Sequence, residues 1–114
     1  MPKDPAPRFS VIVPFRNASR TLPACLQGLA NQTFTRMECV FVDNGSTDDG
    51  AHIVDAFIHD RAFTHWRLIG EVKPGASAAR NRGAREAIGE WLAFTDADCV
   101  PTPAWQTDLD GATR

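Results

Sequence analysis

Apolar residues gather along the chain in short runs, each closed by a polar or structure-breaking residue. Ser10-Val11-Ile12-Val13 is a β-branched run, apolar on both faces and ended by Pro14, the pattern of a buried, parallel-type strand. Cys39-Val40-Phe41-Val42 repeats it and ends on Asp43; Trp66-Arg67-Leu68-Ile69 is a weaker version, and Trp91 to Thr95 is the last. Between these runs the apolar period lengthens to that of a helix. Leu22, Cys25, Leu26 and Leu29 fall at helical spacing in a stretch beginning near Ser19. The loop Asn44-Gly45-Ser46-Thr47 leads into a second helix, capped by Thr47 or Asp48, with Ile53, Val54, Phe57 and Ile58 on its inner face. Pro74-Gly75-Ala76-Ser77 opens a third that runs to about Ile88 and is stopped by Gly89. Its stripe of Ala79, Gly83, Ala84 and Ala87 is small, so this helix can lie close on a sheet. The order βαβαβαβ predicts an α/β fold: a parallel sheet between two helical layers, a three-layer sandwich.

With the strands ordered 3-2-1-4, the fourth lies at an edge although it is apolar enough for a sheet centre. An exposed apolar edge invites pairing with another chain, so self-association through Trp91–Phe94 is expected. After Asp98 there is room for one short helix containing Trp105 and Leu109, and the fold is expected to be incomplete on that side. Residues 1–8 read as a flexible lead and 9–114 as a single domain, in keeping with a length of 114 residues.

Composition removes several classes of function. A net charge of −2 and a pI near 5.8 give no electrostatic footprint for nucleic acid. No apolar run approaches the roughly 18 residues of a membrane span, and the N-terminus lacks a signal-peptide h-region. Cys25, Cys39 and Cys99 are sparse, without a CxxC, which suggests reduced thiols and a cytoplasmic setting.

Candidate chemistry collects at one end of the expected sheet. In a βαβ unit each strand's carboxyl end and the next helix's N-terminus lie on the same side, where open α/β sheets bind ligands. That rim receives Phe15, Arg16 and Asn17, then Asp43 to Asp48, then Lys73, Ser77, Arg80 and Asn81, and finally Asp96 and Asp98. Aspartate is depleted in strands, so two of them at a strand's exit call for a reason. The plain reading is an Asp turn before Pro101. The other is a hard cation such as Mg²⁺, held by carboxylates together with substrate phosphates. Arg80 shares a helical stripe with Ala84 and Ala87 and leans toward the sheet, whereas Arg82, Arg85 and Glu86 read as a solvated face. GxGxxG is absent after the first strand, GxxxxGK[ST] is absent throughout, and Asp48 stands where a calcium loop needs glycine. His52, His59 and His65 lack metal-ligand spacing.

Four stretches taken together resemble the GT-A glycosyltransferases of family 2. They are Ser10-Val11-Ile12-Val13-Pro14-Phe15-Arg16-Asn17, Val42-Asp43-Asn44-Gly45-Ser46-Thr47-Asp48, Ala79-Arg80-Asn81-Arg82-Gly83 and Phe94-Thr95-Asp96-Ala97-Asp98. The resemblance runs from about Phe9 to Pro101 and implies a nucleotide-sugar-binding half with a uridine or guanosine diphosphate donor. It implies that Asp43 bonds the nucleobase, that Pro14 and Asn17 line its pocket, and that Arg80 lies near the base and diphosphate. Asp96 is implied as the first acid of a DxD motif, near the ribose and metal, and Asp98 as the metal ligand, with Mg²⁺ or Mn²⁺ as the ion. Asn44 departs from the second aspartate of many members. The acceptor-binding half and the general base of an inverting enzyme have no counterpart here, since Asp108 and Asp110 read as solvated residues of a terminal helix. Two other classes stay open: a non-catalytic binding or assembly module on an incomplete GT-A fold, and a receiver-like phosphotransfer domain. The latter wants paired acids where this chain has Arg16 and Asn17.

Overall fold

Residues 7–32, 36–101 and 104 are described by a computed structural model. Its elements are β1 (Phe9–Phe15), α1 (Leu22–Ala30), β2 (Met37–Asp43), α2 (Gly50–Arg61), β3 (Trp66–Gly70), α3 (Ala76–Glu86) and β4 (Trp91–Phe94). The expected terminal helix with Trp105 and Leu109, and with it Asp108 and Asp110, lies outside the described residues. The strands form one sheet in the order β3-β2-β1-β4, and every pair is parallel. β1 and β2 match from Phe9↔Met37 to Phe15↔Asp43, while β1 and β4 match only from Phe9↔Trp91 to Ile12↔Phe94.

Side-chain alternation sorts the central strands between two layers. Val11, Val13, Phe15, Cys39 and Phe41 pack with Leu22, Leu26, Leu29 and Val54 of α1 and α2. Ile12, Val40 and Val42 pack with Ala79 of α3 on the other face. Near-uniform right-handedness of parallel crossovers explains this division. Two connections step one way along the sheet and put α1 and α2 on one face; the third steps back past β1 and puts α3 on the other.

Several boundaries differ from the sequence expectation for local reasons. α1 begins at Leu22, not near Ser19, because the Ala18 carbonyl accepts from Thr21 N (3.0 Å) and Leu22 N (2.9 Å) in a turn. Pro23 then sits in the first helical turn, where its missing N–H costs nothing. Neither Thr47 nor Asp48 caps α2. The cap position is Asp49, without a side-chain bond, and Asp48 instead accepts from Gly50 N (2.9 Å) and Ser19 N (3.0 Å). Those two donors, Gly50 first, hold the Asp48 carboxyl below its ordinary pKa. α3 ends at Glu86, before Ile88, because the amides beyond its C-cap Ala87 are drawn into the sheet: Ile88 N donates to Glu38 Oε2 (2.7 Å) and Gly89 N to Ser10 Oγ (2.8 Å). Pro7 and Arg8 pair with the entry to β4, through Glu90 N to Pro7 O (3.4 Å) and Trp91 N to Arg8 O (2.9 Å).

The small stripe on α3 does what its composition suggests. Ala79 and Gly83 are buried, and a Cβ on Gly83 would overlap Ile12 Cγ2 and lie 3.2 Å from Val42 Cγ2. Ile12 and Val42 are fully buried mid-sheet, so neither can withdraw. Gly83→Ala therefore sets a helix-propensity gain of about 1 kcal/mol against an overpacking cost of about 1–3 kcal/mol. A net loss of up to about 2 kcal/mol is expected in urea denaturation; a raised midpoint would show that α3 does not lie so close.

Candidate functional site

The reversal in sheet order falls between β1 and β4, and the carboxyl ends of those strands part there. Thr95 N donates to Ile12 O (3.2 Å), the last bond from the β4 side to β1. Pro14 lies two residues on and on the same edge of β1, so the missing proline N–H faces the gap and leaves no orphan donor. The cleft so opened has a volume of about 320 Å³ and is lined by Pro14, Phe15, Arg16, Asn44, Gly75, Ala76, Ala79 and Asp96. A crevice outside the carboxyl ends of the strands, at the point where strand order reverses, is the ligand position of open α/β sheets.

Of the residues singled out from the sequence, Pro14, Phe15, Arg16, Asn44 and Asp96 line this cleft. Asp43 ends β2; its Oδ1 accepts from Ser46 N (2.9 Å), and its second oxygen takes no hydrogen bond among the described residues. Asn17 has a left-handed φ of 52°. Its Oδ1 accepts from Thr47 N (2.7 Å), Thr47 Oγ1 (3.2 Å) and Asp48 N (3.3 Å), and its own amide donates to Ser46 Oγ (3.0 Å). Asn17 thus braces the β1–α1 loop against the β2–α2 loop beside the cleft. Arg80 is half-buried on α3, one residue past the lining residue Ala79, and makes no ion pair among the described residues.

After β4 the chain turns tightly, with Cys99 N donating to Asp96 O (3.0 Å). Ala97 is buried in the core and pins the turn, while Asp96 and Asp98 project into solvent. Ligand atoms of Asp96, Asp98 and Cys99 all lie within 4.8 Å of one another. Two carboxylates so spaced fit a divalent cation with oxygen ligands, and the Cys99 thiol adds a softer neighbour. Beneath them Cys25 of α1 donates from Sγ to Asp96 O (3.9 Å). Burial, aided by Cys99 and Asp98, pushes the Cys25 thiol up to about 11, so it remains a neutral packing group.

The remaining wall is the start of α3. Gly75, its N-cap, contributes no side chain, and the first turn contains no acid. Backbone N–H groups of that turn therefore have no carboxylate of their own turn to occupy them, an arrangement that favours an anion. Arg16 adds an exposed cation to the lining. Ala76 and Ala79 escaped the sequence reading as wall residues, because their smallness signals close packing and not the space it leaves. Asn44, noted only as a departure, proves to be buried with its carboxamide bonded to the β3–α3 loop.

A second hollow of about 230 Å³ lies at the opposite end of the sheet, among Leu29, Met37, Phe63 and Trp66. Among the described residues it has no carboxylate and no helix N-terminus, so it lacks the chemistry gathered at the first.

Comparison with known proteins agrees with this fold. Residues 10–109 match the family described as Glycosyl transferase family 2. The chain is 36% identical over 114 residues to "Uncharacterized glycosyltransferase YibD" of Escherichia coli (strain K12), covering 92% of this chain and 33% of the relative. It is 41% identical over 96 residues to "PGL/p-HBAD biosynthesis glycosyltransferase" of Mycobacterium bovis (strain BCG / Pasteur 1173P2), covering 82% and 36%. Among solved structures, S. aureus TarS 1–349 in complex with UDP-GlcNAc superposes with a TM-score of 0.79 at 30% identity, over 91% of this chain and 30% of that one. The mannosyltransferase PcManGT from Pyrobaculum calidifontis, in complex with GDP-Man and Mn²⁺, gives 0.80 at 30% identity over 87% and 30%. The chain thus spans about a third of the length of the relatives it matches, and its parallel βαβαβαβ sandwich is of the GT-A type, incomplete relative to theirs. With matched residues running through both central strands, all three helices and the paired acids, the chain belongs to glycosyl transferase family 2.

Proposed function

We propose that this chain is the donor-binding part of an inverting glycosyltransferase and takes a uridine or guanosine diphosphate sugar in the cleft between β1 and β4. The observation that carries the reading is the site's composition. An uncapped helix N-terminus and Arg16 stand on one cleft that also holds Asp96, next to a turn presenting Asp98. A diphosphate matches the first two, and its metal matches the acids. Relatives support the choice of ligand, since TarS was crystallised with UDP-GlcNAc and PcManGT with GDP-Man and Mn²⁺.

In this reading the second oxygen of Asp43 receives a nucleobase N–H, and Pro14 lines the base pocket with Asn17 holding its loops in place. Arg80 reaches the base and diphosphate from α3. Asp98, with Asp96, holds Mg²⁺ or Mn²⁺, which supplies positive charge to the departing nucleoside diphosphate. The acceptor hydroxyl attacks the anomeric carbon from the face opposite the diphosphate. The bond to the diphosphate oxygen breaks, and a general base takes the hydroxyl proton. That base and the acceptor site belong to the part of the protein outside this chain, so the chain alone binds donor without turning it over. Three free cysteines fit a cytoplasmic setting.

A second role, assembly, has its own observation. Trp91, Leu92 and Phe94 on β4 are 44–47% exposed, and among the described residues β4 pairs only with β1. We propose that the chain self-associates through this edge.

Calorimetric titration with UDP and GDP, with and without Mn²⁺, tests the first reading. Metal-dependent binding to one of them is expected, weakened at least about tenfold by Asp98→Asn. Absence of binding to both, with Mn²⁺ present, would overturn it. Sedimentation at increasing concentration tests the second: a concentration-dependent dimer that Leu92→Lys disperses is expected, and a strict monomer at high concentration rejects it.

A further inference from the structure

Asn44 follows the last residue of β2 and is only 8% exposed. All three of its carboxamide bonds fall on one loop, the connection from β3 to α3. Nδ2 donates to Glu71 O (2.9 Å) and Lys73 O (2.8 Å), and Oδ1 accepts from Gly75 N (2.9 Å). We propose that Asn44 is the positioning residue of the cleft: an amide latch that holds residues 71–75, and through Gly75 the first turn of α3, where a nucleotide diphosphate needs them. The proposal rests on the reading of this cleft as the nucleotide site.

Little else fixes that loop. Val72 is 98% exposed and has no core to pack against, and Lys73 and Pro74 are exposed as well. Its other polar ties are Glu71 N to Asp43 O (3.0 Å), Lys73 N to its own loop's Glu71 Oε2 (3.2 Å) and a Glu71–Arg85 ion pair at 3.6 Å. Gly75 sits at φ 116° and ψ 146°, a conformation open to glycine and rarely adopted by other residues. Its carbonyl accepts from Ala79 N (3.2 Å), which starts the helical ladder. Asn44 therefore grips the residue from which α3 is launched. Gly75, Ala76 and Ala79 all line the cleft, so their placement sets its width and the aim of the helix N-terminus.

The chemistry explains an amide at this position. An ionised carboxylate is acceptor-only. In place of Asn44 it would still accept from Gly75 N, but it would set negative charge against the Glu71 and Lys73 carbonyls. The aspartate of the family pattern is thus incompatible with the loop as built in this chain.

Two substitutions in the 114-residue chain separate latching from nucleotide binding. Asn44→Ala removes all three bonds without adding charge, and native-state hydrogen exchange of the Gly75 amide should quicken about tenfold or more while amides in β1 and β2 keep their rates. Asn44→Asp keeps the shape and inverts the chemistry. It should weaken UDP or GDP binding, in the presence of Mn²⁺, by about tenfold or more, and by more than Asn44→Ala does. A space-filling role predicts the reverse order, with the near-isosteric Asn44→Asp the milder change. Unchanged exchange at Gly75 overturns the latch whatever the nucleotide does. Quickened exchange with unaltered affinity overturns the positioning role. A wild-type chain that binds neither nucleotide overturns the reading of the cleft itself, while the exchange result still decides the latch.

Discussion

One buried carboxylate joins the parts of this molecule that are most distant in sequence. Glu38 is 2% exposed on β2, and its oxygens accept from Ser10 Oγ on β1 (2.5 Å), Ile88 N after α3 (2.7 Å) and Arg67 Nη2 on β3 (3.2 Å). Arg67 also donates to the Glu86 carbonyl at the end of α3. A charge taken so far from water needs such partners, and breaking a buried pair by deleting one member costs about 3–5 kcal/mol. The same cluster draws in Gly89, where an added Cβ would come within 2.6 Å of Ser10 Oγ and 2.7 Å of the β1 backbone. The chain leaving α3 is thereby bound to the amino-terminal end of the sheet and enters β4 beside β1. Every feature of the cleft at the other end depends on that reversal.

Because α3 returns across the sheet to reach β4, its first turn faces the carboxyl ends of β1 and β2, and β4 delivers Asp96 and Asp98 to the same place. Close packing of Gly83 on Ile12 sets the height of the helix above the sheet, while Gly75 and Asn44 set where it begins. On the opposite face, Gly28 of α1 lies 3.1 Å, measured from an added Cβ, from Val100 and Pro101, so the chain after the acids runs directly over α1. Ala97, buried between the two aspartates, and Cys25 beneath them hold the acidic turn on that surface. The acids are exposed, yet the backbone carrying them is anchored from below.

Much of the scaffold was readable because its signals are local. Runs of β-branched residues closed by Pro14 and Asp43 mark the central strands, and the alanine and glycine spacing of α3 marks a helix lying close to a sheet. The position of Asp96 and Asp98 follows from the strand before them. What escaped depends on partners far along the chain. Glu38 stands next to an apolar run and looks like an exposed strand end, but its partners are 28, 29 and 50 residues away. Asn44 looks like a mild variant of an acidic motif until residues 71 to 75 are brought beside it. The bracing of Thr47 and Asp48 by Asn17 likewise requires two loops to meet, and Asp48, expected to cap α2, is spent on the amides of Gly50 and Ser19.

In the proposed function, the opening between β1 and β4 receives a nucleoside diphosphate. NMR mapping of UDP and GDP on the ¹⁵N-labelled chain with Mg²⁺ measures this most directly. Shift changes are expected at Phe15–Asn17, Asn44–Ser46, Gly75–Arg80 and Asp96–Cys99, with the amides around Phe63 and Trp66 at the far end of the sheet undisturbed. Changes centred on Phe63 and Trp66, or none at saturating nucleotide, would contradict it.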